Sequence, residues 1–207
     1  LWHDYRALIQ AVKVESGITN LNHSAFEGCS NLTQVTLPEG LDGIGDRTFK
    51  GCASLTSVTI PSTAAYIGAE AFRESGITSI AIPQNVTTVG EYAFYCCKDL
   101  KTVDMQGSFG GSVAQYAFDG CSSLTNIAIP DGPGQISVMA FHDCSSLTDI
   151  FIPASVTLIS DAAFGWAGVQ NVYYGGTEDQ WNKITRVNNQ LDGVTVHYNS
   201  TGLPSAS

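Results

Sequence analysis

Residues 117–130 read AFDGCSSLTNIAIP, and residues 140–153 read AFHDCSSLTDIFIP, the same sentence written again twenty-three positions later. Working outward from this pair, its phenylalanines belong to a series: Phe26, Phe49, Phe72, Phe94, Phe118, Phe141 and Phe164, spaced 23, 23, 22, 24, 23 and 23 apart. Three residues after each stands a small side chain, in order Cys29, Cys52, Ser75, Cys97, Cys121, Cys144 and Ala167. Next comes a branched apolar residue (Leu32, Leu55, Ile77, Leu100, Leu124, Leu147, Val169) opening a stretch L-x-x-V/I-x-I/L, which Pro38, Pro61, Pro83, Pro130 and Pro153 close. Five residues before each Phe is a further apolar position, from Leu21 and Ile44 through Val89 to Ile159.

The V-x-I alternation has period two, so both branched residues of a unit face one side of a strand and the residue between faces the other. Proline, lacking an N–H, ends the ladder. A second extended piece carries the Ile-Gly element, and A-F-x-x-C is expected to pack as one tight turn. No single 23-residue unit can bury its own apolar groups, but stacked units can, each covering the next. The repeat therefore predicts a right-handed, β-rich solenoid of about seven coils plus end caps. Its strands are expected to pair into one continuous parallel sheet, about 4.8 Å per coil and roughly 30 Å across. Short strands and tight helical turns are expected on the other side.

The motif L-x-x-V-x-I-P followed by I-G-x-x-A-F-x-x-C resembles the BspA-like leucine-rich repeat, a 23-residue class of bacterial surface proteins also seen in some parasitic protists. The resemblance covers about residues 8–175 and makes the expected fold an α/β-type leucine-rich-repeat solenoid. Two further segments resemble those flanking such arrays: the opening W-x-x-Y-x-x-x-I-x-x-V-x-V from Trp2 to Val14, and the stretch from Val172 to Trp181 with Val194 to Tyr198. The sequence departs from the pattern at QGSFGG (106–111), where the proline is missing and a local bulge is expected. The organisation read from this is a flank with a first strand over 1–17, the array over 18–175, a cap over 176–198 and a flexible tail over 199–207. In the cap, Thr177 suits the N-cap of a short helix through Ile184, with Gln180 three residues on and Trp181 lying over the last coil. The alternation from Gly193 to Tyr198 reads as a final strand, Val194 and Val196 inward and His197 outward. The chain starts without Met, and is read as a piece of something longer.

With 43% apolar and 14% charged residues the chain is not expected to be disordered, and a net charge of −10 opposes a nucleic-acid partner. No apolar run is long enough to cross a bilayer, so membrane insertion is not expected.

Chemistry is sparse. Five of the six cysteines sit at one repeat position that also accepts Ser75 and Ala167, which favours buried free thiols. Disulfides between Cys29 and Cys52 or Cys121 and Cys144 stay geometrically conceivable. No C-x-x-C pair exists, and His3, His23, His142 and His197 occupy unrelated repeat positions, so no metal site is expected. His142, Asp143 and Cys144 are adjacent, but chain neighbours rarely form a spatial triad. Neither catalysis nor a cofactor is expected. The Asp-Gly pairs read as turns rather than calcium loops.

What remains is surface. The outward sheet positions are small and polar through Gln34, Thr36, Ser57, Thr59, Ser79 and Ala81, then become acidic and aromatic. Asp104, Asp149, Phe151, Asn171 and Tyr173 are the candidate partner-binding residues, unless the C-terminal segment folds back over them. The resemblance implies a non-catalytic extracellular binding or adhesion module on a bacterial cell surface. Its partner would be a host or matrix protein, a glycan or another microbial surface component, and the chain is expected to be a monomer. The alternative is a structural spacer in a larger surface protein with no ligand of its own.

Overall fold

A computed structural model describes residues 3–107, 110–189 and 191–204, with only the backbone of His3 and Asn189 included. Trp2 of the opening segment, residues 108–109 of the expected bulge and the end of the tail lie outside the described residues.

The seven phenylalanines form the spine. Consecutive rings from Phe26 to Phe164 stack with centroids 5.1 to 5.7 Å apart. All are buried except Phe26, which is half-buried at the N-terminal end. Around them the leucine, isoleucine and cysteine columns close one contiguous core. The fold is a leucine-rich-repeat solenoid of about eight turns, because a strand precedes the first Phe and another follows the last.

Each coil carries two extended pieces, and both pair in parallel with the next coil. The V-x-I stretches give the longer ladders, and the Ile-Gly pieces, such as Tyr66–Ile67 and Leu158–Ile159, give two-residue ones on a second face. The expectation of one continuous sheet is not met. The V-x-I face divides into Ala11–Lys13 with Gln34–Thr36, Ser79–Ile82 with Thr102–Met105, and a four-stranded sheet from Asn126–Ala128 to Thr195–His197. Between the last two groups the chain passes through QGSFGG, and the second face breaks at the same coil, between Thr88–Val89 and Ser112–Val113. Both breaks thus coincide with the 24-residue unit, while the core stays in step, Phe94 stacking on Phe118 at 5.1 Å across it. Residues 57–60 keep the alternation, with Val58 and Ile60 buried and Ser57 and Thr59 exposed, without forming a ladder. Its two inward side chains pack into the core, and the flanking Thr56 O accepts from Thr78 N–H of the next coil at 2.9 Å.

The turns also differ from expectation, for they are not helical. Two residues before each Phe the backbone is left-handed, as at Arg47 (φ 55°), Tyr92 (φ 58°) and Met139 (φ 53°). Two residues after each Phe it is left-handed again, as at Glu74 (φ 57°), Asp143 (φ 52°) and Trp166 (φ 56°). Alternating hands turn every second N–H along the array. Phe49 N–H donates to Ala71 O at 2.8 Å, Phe72 to Ala93 at 2.8 Å and Phe94 to Ala117 at 2.8 Å. A right-handed helical turn would spend those donors within its own coil.

At the C-terminal end Thr177 caps the helix Glu178–Trp181 as expected. Its Oγ1 accepts from the Gln180 N–H at 3.3 Å while Gln180 Oε1 accepts from the Thr177 N–H at 2.8 Å. The helix stops at Trp181, short of Ile184. The Trp181 ring lies edge-on to buried Tyr174 at 5.2 Å and closes the interior.

Candidate interaction surface

The sheet face at the C-terminal end is built by register. Asp149–Ile152 pairs with Asn171–Tyr174, setting Asp149 opposite Asn171 and Phe151 opposite Tyr173, and Asn171–Tyr174 pairs with Thr195–His197, setting Tyr173 opposite His197. Ile150, Ile152, Val172 and Tyr174 point inward and are buried. Two rows are left facing outward, one polar (Asp149, Asn171, Thr195) and one of rings (Phe151, Tyr173, His197).

The polar row is hydrogen-bonded across strands. Asn171 Nδ2 donates to Asp149 Oδ1 at 3.0 Å and Thr148 Oγ1 donates to Asp149 Oδ2 at 2.6 Å. His197 Nε2 lies 3.4 Å from Asn171 Oδ1, an acceptor, so the hydrogen belongs on that ring nitrogen. The His197 ring stacks on Tyr173 at 4.6 Å, the planes 10° apart. Stacked along the array in this way, the two rings turn their edges outward. Asp149, Asn171, Tyr173 and His197 are each held by a side chain one coil away, so this part of the surface is ordered before any partner arrives.

Four of the five candidate residues, Asp149, Phe151, Asn171 and Tyr173, therefore come together, all half-buried. Asp104 does not join them. It lies on Thr102–Met105, which pairs with Ser79–Ile82, and its Oδ2 accepts from Gln106 Nε2 at 2.8 Å. There it lines a shallow groove of about 270 Å³ with Ser57, Thr59, Ser79, Ala81 and Thr102. Among the described residues the C-terminal segment does not fold back over the patch; it adds Thr195–His197 edge-on as the next strand. That strand brings in His197, a member that reading the sequence missed. The usable signal was its place twenty-four residues after Tyr173, close to the repeat length.

With the geometry in place, comparison with known proteins gives a family. The family described as the BspA type leucine rich repeat region (6 copies) matches residues 5–111 and 111–184. The chain belongs to the BspA-type leucine-rich repeat family. No curated protein matches it. Among solved structures, a leucine-rich repeat protein from Bacteroides ovatus is similar with a TM-score of 0.79 and 26% identity, over 94% of this chain and 56% of that one. The chain thus spans little more than half the length of that relative. The leucine rich repeat protein of T. pallidum superposes with a TM-score of 0.60 at 24% identity, over 80% of this chain and 73% of that one. The pneumococcal vaccine antigen PcpA does so at 0.52 and 17%, over 91% of this chain and 41% of that one. These last two likenesses are of fold alone.

In this BspA-type array four of the six cysteines are bonded into the core. Cys52, Cys97, Cys121 and Cys144 each direct Sγ to the carbonyl oxygen of the Phe one coil earlier, at 2.9 to 3.2 Å. All six thiols are free, which leaves neither conceivable disulfide formed. Burial pushes the thiols of Cys52 and Cys97 up to about 12, so they stay protonated and unreactive at neutral pH. The adjacent trio at 142–144 does not converge: Cys144 turns into the core, and His142 Nδ1 pairs instead with Asp119 Oδ1 of the preceding coil at 3.0 Å. Burial raises the Asp119 carboxyl above its ordinary value, against the opposing pull of His142. His23 pairs with Asp46 at 3.2 Å, far along the array from both His142 and His197. Among the described residues no three histidine, cysteine or acidic side chains converge as metal ligands.

Proposed function

We propose that this chain is a non-catalytic binding module that works outside the cell on a bacterial surface, with the Asp149, Phe151, Asn171, Tyr173 and His197 patch as its recognition site. The coils wind right-handed in this reading, the sense that almost all parallel β crossovers take. The observation that supports it is the pair of in-register rows: three rings beside a hydrogen-bonded polar row, on positions the core does not need. Aromatic anchors framed by fixed polar groups are the composition of interface hot spots. The partner is a protein or glycan of a host, its matrix or another microbe, and the chain binds it as a monomer.

The test is a micromolar screen of the purified chain against matrix proteins and a glycan array, repeated with Phe151→Ala and Tyr173→Ala. Binding that both variants weaken about tenfold or more supports the site. A partner whose binding ignores both variants overturns it. The absence of any partner favours a second reading, a spacer array, which the small polar outward row from Gln34 to Ala81 suits.

A further inference from the structure

Trp166 is 80% exposed at a left-handed backbone position. The equivalent position in the other coils holds Gly28, Gly51, Glu74, Cys96, Gly120 and Asp143. It is the one aromatic residue at this repeat position, and an indole left mostly in water returns little to folding. Structure alone does not account for Trp166.

Its surroundings are arranged. Among the described residues its ring contact is His142, 5.0 Å away and tilted by 46°. That imidazole is held by Asp119 at 3.0 Å and sits over Gly165, where a Cβ would come within 2.8 Å of its Cδ2. Asp143 occupies the same repeat position one coil earlier, about 4.8 Å along the array, exposed, with its N–H bonded to Gly165 O at 2.8 Å. An open indole face therefore stands beside an open carboxylate.

The molecule shows what it does elsewhere with such faces. The guanidinium of Arg73 lies 4.9 Å over the Tyr95 ring, and that of Arg186 lies 5.0 Å over the Trp181 ring. Trp166 has no cation of its own among the described residues. The net charge of −10 draws a basic partner toward it. We propose that Trp166 and Asp143 form a binding site for an arginine side chain of a partner polypeptide, its guanidinium stacked on the indole and paired with the carboxylate. Arginine fits better than lysine because its planar, weakly hydrated fork can do both at once. The site lies on the turn edge, away from the sheet face, and does not depend on the function proposed above.

The experiment follows the indole N–H signals of the chain by NMR during millimolar titration with a blocked pentapeptide carrying two arginines, and with its uncharged citrulline counterpart. The Trp166 signal is identified by its absence in Trp166→Phe. The expected result is a saturable shift of that signal with the arginine peptide alone, weakened about two- to fivefold by Asp143→Asn, lessened by salt and unaffected by Tyr173→Ala. Trp166 is exposed, so Trp166→Ala should keep the parent's melting behaviour and lose the peptide-induced changes at neighbouring amides. Equal binding of the citrulline peptide, indifference to both Asp143→Asn and Trp166→Ala, or loss of binding in Tyr173→Ala would overturn the proposal.

Discussion

The thiol of Cys97 donates to the carbonyl oxygen of Phe72 at 2.9 Å, one coil back along the array. The bond ties two columns that the sequence shows separately, the phenylalanines and the small residues three places after them. Serine stands in at Ser75, its hydroxyl 3.5 Å from the Cys97 thiol within the same buried column. Alkylation of the native chain at pH 8 should modify Cys96, the half-buried thiol outside this column, and spare the other five until denaturant is added. Mass spectrometry would count the labels. Cys121→Ala should cost about 1 to 2 kcal/mol, the lost bond plus the small void, measured by urea unfolding.

Truncation along the phenylalanine spine should be graded by position. Phe94→Ala and Phe118→Ala each remove a fully buried ring stacked on both sides, 5.4 and 5.1 Å from its neighbours for Phe94 and 5.1 and 5.4 Å for Phe118. Each should cost about 3 to 5 kcal/mol. Phe26 is half-buried at the array end and stacks only on Phe49 among the seven, so Phe26→Ala should cost clearly less. Denaturation curves that rank Phe26→Ala equal to Phe118→Ala would contradict the stacked-core account.

Much of this was legible in the sequence, because a repeat states its core many times over. Phe, Leu and Cys recurring at fixed offsets can only mean that those positions share an interior, and one discordant unit such as Ser75 does not blur the pattern. Where the sequence misled, the cause was backbone conformation. Residues as unlike as Arg47, Tyr92 and Met139 share one left-handed φ before the Phe, so no residue type announces it there, and Gly28, Gly51 and Gly120 after the Phe are the signal that a helical reading of A-F-x-x-C passes over. The candidate patch was legible in its first four members because the period of two sets which strand positions face out. His197 reads as outward on the final strand but is not joined to the patch, because the cap intervenes and the sequence alone does not show that strand pairing with Asn171–Tyr174.

The left-handed turns predict losses of different size at two otherwise similar glycines. Gly51 (φ 70°) has room for a methyl group, the nearest atom lying 3.7 Å from an ideal Cβ, so Gly51→Ala should cost only the backbone strain, about 1 to 2 kcal/mol. Gly120 (φ 74°) shares the strain, but its Cβ would come 3.0 Å from Cys96 Sγ. Gly120→Ala should therefore melt lower than Gly51→Ala, and the double variant with Cys96→Ala should narrow the gap. Equal melting of the two alanine variants would show that the contact is relieved at no cost.

Glu70 predicts an acid limb. Its Oε2 takes hydrogen bonds from Lys50 Nζ and, at 3.1 Å, from Arg73 Nη1, while Oε1 accepts from Arg47 Nε at 3.1 Å. Chiefly the Lys50 bond, aided by Arg47, holds the carboxyl down at about 2. An unfolded glutamate titrates near its ordinary value, about 4.3, so as pH falls the unfolded state takes up the proton first. The stability that Glu70 contributes is then whole above about pH 5 and drains away toward pH 2. Because the cluster is partly open to solvent, the amount is about 1 to 2 kcal/mol at low salt. Glu70→Gln should lower the melting temperature at pH 7 and leave it nearly matched to the parent at pH 2.5, with the gap at pH 7 shrinking in 0.5 M salt. A gap of equal size at both pH values would mean that the side chain acts through packing and not through its charge.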